Sequence, residues 1–94
     1  MDQILLKTRC TKGHIIIDSN KVSIEMHLLG YHQTNSLAYK QITGVETKMT
    51  QPDILGLGQA TIKIFSAGNQ TLIAERVKLS DARKAEELIN SKLK

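Results

Sequence analysis

Residues 59–93 read QATIKIFSAGNQTLIAERVKLSDARKAEELINSKL, and the hydrophobic period changes inside that stretch. From Gln59 to Phe65 the period is two: Ala60, Ile62 and Ile64 share one face while Thr61, Lys63 and Phe65 share the other, as in a half-buried strand. From Ser80 onward, Ala82, Ala85, Leu88, Ile89 and Leu93 recur at three- and four-residue spacing, the pattern of an amphipathic helix of roughly three turns. Ser80 reads as its N-cap, Asp81 as a carboxylate at the positive end of the dipole, and Lys92 and Lys94 as cations at the other end. Between the two patterns, Ser66 to Gln70 reads as a hairpin loop and residues 71–78 as the returning strand. The facing of that strand is ambiguous, because Leu72/Ala74/Arg76 and Ile73/Glu75/Val77 each mix polar and apolar residues, as in a strand partly covered on both sides. Strand, hairpin, strand, helix is the ending of a mainly β domain closed by one C-terminal helix.

Working toward the N-terminus, short β segments are separated by turn residues. Ile4 to Cys10 is followed by Thr11-Lys12-Gly13, His14 to Asp18 by Ser19-Asn20-Lys21, and Val22 to Leu29 by Gly30. Val22, Ile24, Met26 and Leu28 alternate with Ser23, Glu25 and His27, again at period two. Tyr31-His32-Gln33-Thr34-Asn35 reads as a polar connection, after which Leu37-Ala38-Tyr39 and residues 42–48 resume β character. Gly44 inside that last segment predicts a bulge or bend. Thr50 to Asp53 reads as a turn, followed by the pliable Gly56-Leu57-Gly58.

The 94 residues allow one domain, with strands over about 3–78 and the helix over about 81–93. Hydrophobic residues at 40% and charged residues at 23% are ordinary for a folded chain. No apolar run approaches the ~20 residues of a membrane-spanning helix, and Asp2 leads straight to Ile4 without a basic leader. With one cysteine, Cys10, no internal disulfide can form, so the expected compartment is the cytoplasm. The net charge of +4 is spread evenly: six Lys/Arg against four acids in residues 1–50, and seven against five in residues 51–94. That predicts a modest attraction to anions without a basic block.

One family is similar. Leu37-Ala38-Tyr39-Lys40-Gln41-Ile42-Thr43-Gly44-Val45 resembles the "apolar-Pro-Tyr-x-x-Ile-x-x-Val" passage of bacterial pleckstrin-homology-like (PH-like) domains, with Ala38 where proline is common. Gly58 to Ile64 resembles their "Gly-x-x-x-Ile-x-Ile" strand, and the terminal helix follows in the expected place. The resemblance implies two bent antiparallel sheets of six to seven strands in total, packed nearly at right angles, with the helix plugging one open end. Lipid-binding members of the wider superfamily place a basic cluster around the first inter-strand loop. That loop is short here, and the nearby cations are Lys7, Arg9, Lys12 and Lys21.

The spacing C-x3-H-x12-H-x4-H over Cys10, His14, His27 and His32 imitates a zinc finger. His14 can return beside Cys10, but His27 lies in a continuing strand and His32 in the loop beyond, roughly 15 Å away if the chain stays extended. No metal or other cofactor is therefore expected. Nor is catalysis: the acids are scattered singly except Glu86-Glu87, whose adjacent helical positions diverge. Gly56-Leu57-Gly58 leads into a strand, whereas phosphate loops lead into a helix N-terminus. What remains is a non-catalytic interaction module that binds a protein partner or itself, a homodimer being expected. The free strand edges for that contact are expected at residues 43–49 and 59–65. The alternative is an anion-binding surface for acidic lipid headgroups or nucleic acid. The candidate binding residues are Lys7, Arg9, Lys12, Lys21, Lys63 and Phe65, the last two sharing a face with few other aromatics in the chain to support base stacking.

Overall fold

A computed structural model of the chain describes residues 3–52, 54–68 and 70–93. Seven strands and one helix follow in order: β1 Ile4–Cys10, β2 Gly13–Asp18, β3 Lys21–Leu28, β4 Tyr31–Ala38, a single 3-10 turn Tyr39–Gln41, β5 Ile42–Gln51, β6 Gln59–Ser66, β7 Thr71–Lys78 and α1 Leu79–Lys92. The strands form two antiparallel meanders, a four-stranded sheet in the order β1-β2-β3-β4 and a three-stranded sheet in the order β5-β6-β7. The sheets meet at one corner, where the Thr11 backbone N–H donates to the Glu75 carbonyl at 2.9 Å. The fold is thus mainly β, with two sheets and one C-terminal helix.

The core between the sheets is aliphatic. Ile15, Ile17, Val22, Ile62, Ile64, Val77 and Ile89 are its largest fully buried side chains. They come from the inward positions of β2, β3, β6 and β7 and from the helix, which lies over the second sheet. Ala82 and Ala85 are also fully buried, small enough to let the helix backbone approach the strands. Leu88, which shares the helix's apolar stripe with Ile89, is only half-buried and packs against the margin of the core. Tyr39 lies at the rim, and its hydroxyl donates to the Asp18 carbonyl at 2.7 Å, tying the connection between the sheets to the β2–β3 turn. Asp18 closes that turn itself, its Oδ1 accepting from the backbone N–H groups of Asn20 and Lys21 at 2.7 Å each.

Several sequence expectations are corrected here. Residues 31–35 are not a connection: they are the first part of β4, paired with β3 all the way from Leu28↔Tyr31 to Lys21↔Ala38. Their polarity reflects an edge strand whose tip has solvent on both faces. Leu37 and Ala38 finish that strand, and β5 runs on to Gln51. The ambiguous facing of residues 71–78 has a different cause from double coverage. Val77 is opposite Ala60 and Ala74 is opposite Ile62, so Glu75 and Arg76 together face one residue in a β-bulge, with Arg76 at φ 57°. The bulge shifts the inward series from Leu72 and Ala74 to Val77. A register shift between Ile42 and Gly44 falls where Gly44 predicted an irregularity.

The helix begins two residues earlier than its polar cap signal implied. Lys78 occupies the N-cap without a side-chain hydrogen bond, so Ser80 lies inside the first turn. Asp81 is in that turn as expected, and Thr8 Oγ1 of β1 donates to its Oδ2 at 2.8 Å. Finally β6 is no edge: it is the central strand of its sheet, paired on both sides, and the outer strands there are β5 and β7. In the four-stranded sheet the outer strands are β1 and β4, and β1 meets β7 at the corner.

Candidate functional site

The end of the domain where α1 begins carries a cavity of about 370 Å³. Its walls are Thr8 and Arg9 of β1, Arg76 and Lys78 of β7, Asp81 of α1, and the segment from Gly56 to Gln59 leading into β6. The walls are held in place by backbone contacts, since the Leu79 N–H donates to the Gly58 carbonyl at 3.0 Å. Three cations and one carboxylate line the cavity, an excess of two positive charges. The carboxylate is already engaged by the Thr8 hydroxyl and lies at the positive end of the helix dipole.

Beside this cavity the β5–β6 loop exposes three aliphatic side chains, Ile54 at 67%, Leu55 at 92% and Leu57 at 66% of their surface. Single exposed apolar residues are ordinary on soluble domains; three within four positions, next to a cationic recess, form a patch. Leu55 stands at φ 57°, a left-handed conformation that is costly for a bulky side chain. Arg76 has the same φ, so both the loop and the cavity wall hold backbone strain.

A second recess of about 260 Å³ is lined by Cys10, Thr11, Lys12, Ile24, Met26, Ile73 and Glu75, from the β1–β2 turn, β3 and β7. It is largely apolar. Burial pushes the Cys10 thiol pKa up, which keeps it protonated and poorly nucleophilic at neutral pH. Burial, then the neighbouring Asp18 charge, likewise raises the Tyr39 phenol.

The six residues singled out in the sequence do not converge. Lys7 and Arg9 are exposed on the outer face of β1, Lys12 is at the β1–β2 turn with φ 64°, and Lys21 opens β3. Lys63 and Phe65 lie on β6 in the other sheet, where Phe65 is half-buried. Only Arg9 lines the cationic cavity. Arg76 and Lys78 were missed because a bulge between them and the regular part of β7 is invisible to a period-two reading. The Gly56-Leu57-Gly58 stretch leads into a strand as expected, yet the fold brings it against the start of a helix from elsewhere in the chain.

The histidines correct the expected separation. Pairing places His14 opposite Glu25 and His27 opposite His32, all on the outer face of the first sheet. The His14 and His27 rings are 6.3 Å apart, and His27 and His32 are 4.6 Å apart at 89°. Cys10 points the other way, into the core.

The fold and its recesses define a class, a small two-sheet β domain with a helical cap. In comparisons with protein-family models, curated proteins and solved structures, nothing matches this chain.

Proposed function

We propose that this domain is a non-catalytic interaction module of PH-like type that docks on an acidic lipid surface through the end where α1 begins. The reading rests on one observation: the recess bearing Arg9, Arg76 and Lys78 adjoins a loop that exposes Ile54, Leu55 and Leu57. Interfacial binding draws on apolar side chains reaching the headgroup boundary and on cations near anionic headgroups, each cation adding about 1 kcal/mol close to the surface. A soluble anion or a nucleic acid would use the cations alone and leave the aliphatic loop in water, so lipid is the occupant that engages both features.

Co-sedimentation with phosphatidylcholine vesicles, with and without phosphatidylglycerol, tests it. Binding is expected only to the acidic vesicles, falling as salt rises. Leu55→Ser and an Arg76→Gln/Lys78→Gln double variant should each weaken it. Failure to pellet with acidic vesicles, or equal pelleting with neutral ones, would overturn the reading, and binding of an oligonucleotide in place of vesicles would replace it.

A second reading, self-association or capture of a protein partner, is favoured by the outer edges of β4 and β5. Tyr31 to Thr34 and Lys48 to Gln51 are exposed along strands that have a neighbour on one side only. Unpaired edge groups are templates for another strand, and a two-fold dimer is the commonest way to use them. Sedimentation equilibrium at micromolar concentration distinguishes the monomer from the dimer.

A further inference from the structure

We infer that the outer face of the first sheet holds a divalent transition-metal site of the zinc type, with His14, Glu25 and His27 as ligands. The donor atoms of these three side chains all lie within 4.8 Å of one another. A zinc ion bound at 2.0–2.1 Å in tetrahedral geometry places its donors about 3.3 Å apart, so side-chain rotations of about an ångström complete the set. The strands supply the placement. His14 and Glu25 are directly opposite on β2 and β3, and His27 follows Glu25 by two residues, returning to the same face.

A second, independent observation points the same way. Nδ1 of His14 is buried and has no hydrogen-bond partner among the described residues. Buried polar atoms are nearly always paired, so an imidazole held this way points to a partner that the polypeptide does not supply. Two imidazoles and a carboxylate are a donor set used for zinc with one coordination position left open. Around the set are Arg9, opposite His14 on β1, and Lys12, whose carbonyl accepts from the His27 backbone N–H at 2.6 Å. Glu25 is therefore the negative charge that makes a dication acceptable on this face. His32, edge-on to His27, acts as a positioning residue that restricts the ring. Cys10 has no part in the site, because it faces the core.

The test is zinc retention by tag-free protein after dialysis, together with the histidine ring resonances. One zinc per chain is expected, with the His14 and His27 rings shifted more than that of His32. Loss of an outer-shell partner alone costs about 10–100-fold in metal affinity, so His14→Gln and His27→Gln should each cost at least that, while His32→Gln costs less than either. Cys10→Ala should leave retention unchanged, which separates this site from a cysteine–histidine finger. The ligands lie on the outer face, and far-UV circular dichroism confirms that each variant is folded. No retained zinc in the parent protein, or undiminished retention in a folded His14→Gln/His27→Gln double variant, overturns the inference.

Discussion

The two faces of the four-stranded sheet are built from the same strands, whose side chains alternate between them, yet they are organised by different rules. On the inner face Ile15, Ile17, Val22, Ile24 and Leu37 are buried, and each needs only apolar neighbours of suitable volume. On the outer face each residue meets one particular side chain across the strand: His14 meets Glu25, His27 meets His32, and the hydroxyls of Ser23 and Ser36 are 2.8 Å apart. Burial on the inner face depends on hydrophobic pattern. Chemistry on the outer face depends on register, because a slip of one residue would dissolve every pair.

The contrast breaks most readily on the inner face. Ile17→Ala removes a fully buried side chain and should cost about 2–5 kcal/mol in urea denaturation. A cost below 1 kcal/mol would mean that the inner face tolerates a cavity. Gly13→Ala is next and probes where two strands meet most closely. A methyl group there would collide with the Glu25 backbone carbonyl, so β2 must shift against β3, with an expected cost of about 1–3 kcal/mol. That variant should also weaken zinc retention, since the same shift moves His14 away from Glu25.

Tyr39→Phe removes the hydroxyl that donates to the Asp18 carbonyl, with an expected loss of about 1 kcal/mol. It also bears on pH. Cys10 and Tyr39 both have raised folded-state pKa values, against ordinary values of 9.0 and 10.0. Their contributions are therefore complete below those values and are lost as pH rises through the higher folded values. The denaturation midpoint should fall above about pH 9, and Tyr39→Phe should flatten the upper part of that fall. The smallest effect belongs to the outer face. Glu25→Gln, measured with a chelator present, should change stability by no more than about 0.5 kcal/mol while abolishing tight zinc retention. A large loss of stability would show that this face, too, is organised by burial.

The same distinction explains what was legible in the sequence. Alternation in Gln59 to Phe65 and in the first half of Val22 to Leu28 identified the inward residues, although Leu28 at the strand's tip is exposed, and the change of period at the C-terminus identified the helix. Register was harder, because it depends on turns. His27 and His32 are equidistant from Leu29-Gly30, which is a two-residue turn with Gly30 at φ 66°. Once Tyr31 to Asn35 is read as a connection, that symmetry disappears and His32 is placed far from His27. The polar composition of an edge strand is what concealed it. The cationic cavity was obscured for a related reason: it is assembled from β1, β7, α1 and a loop, and one of its walls stands on a bulge.

The corner between β1 and the end of β7 has a consequence for folding speed. Within each sheet, every pairing joins strands that are neighbours in sequence, so the two meanders can zip up from local hairpins. The corner bonds are different: Thr11 to Glu75 spans 64 residues, and Thr8 to Asp81 spans 73. Closing so long a loop yields its reward only after the hairpins exist, which places this corner late in the reaction with low φ-values. Thr8→Val should then leave the refolding rate nearly unchanged and accelerate unfolding. On this account the corner should count for more in how long the folded molecule lasts than in how fast it forms.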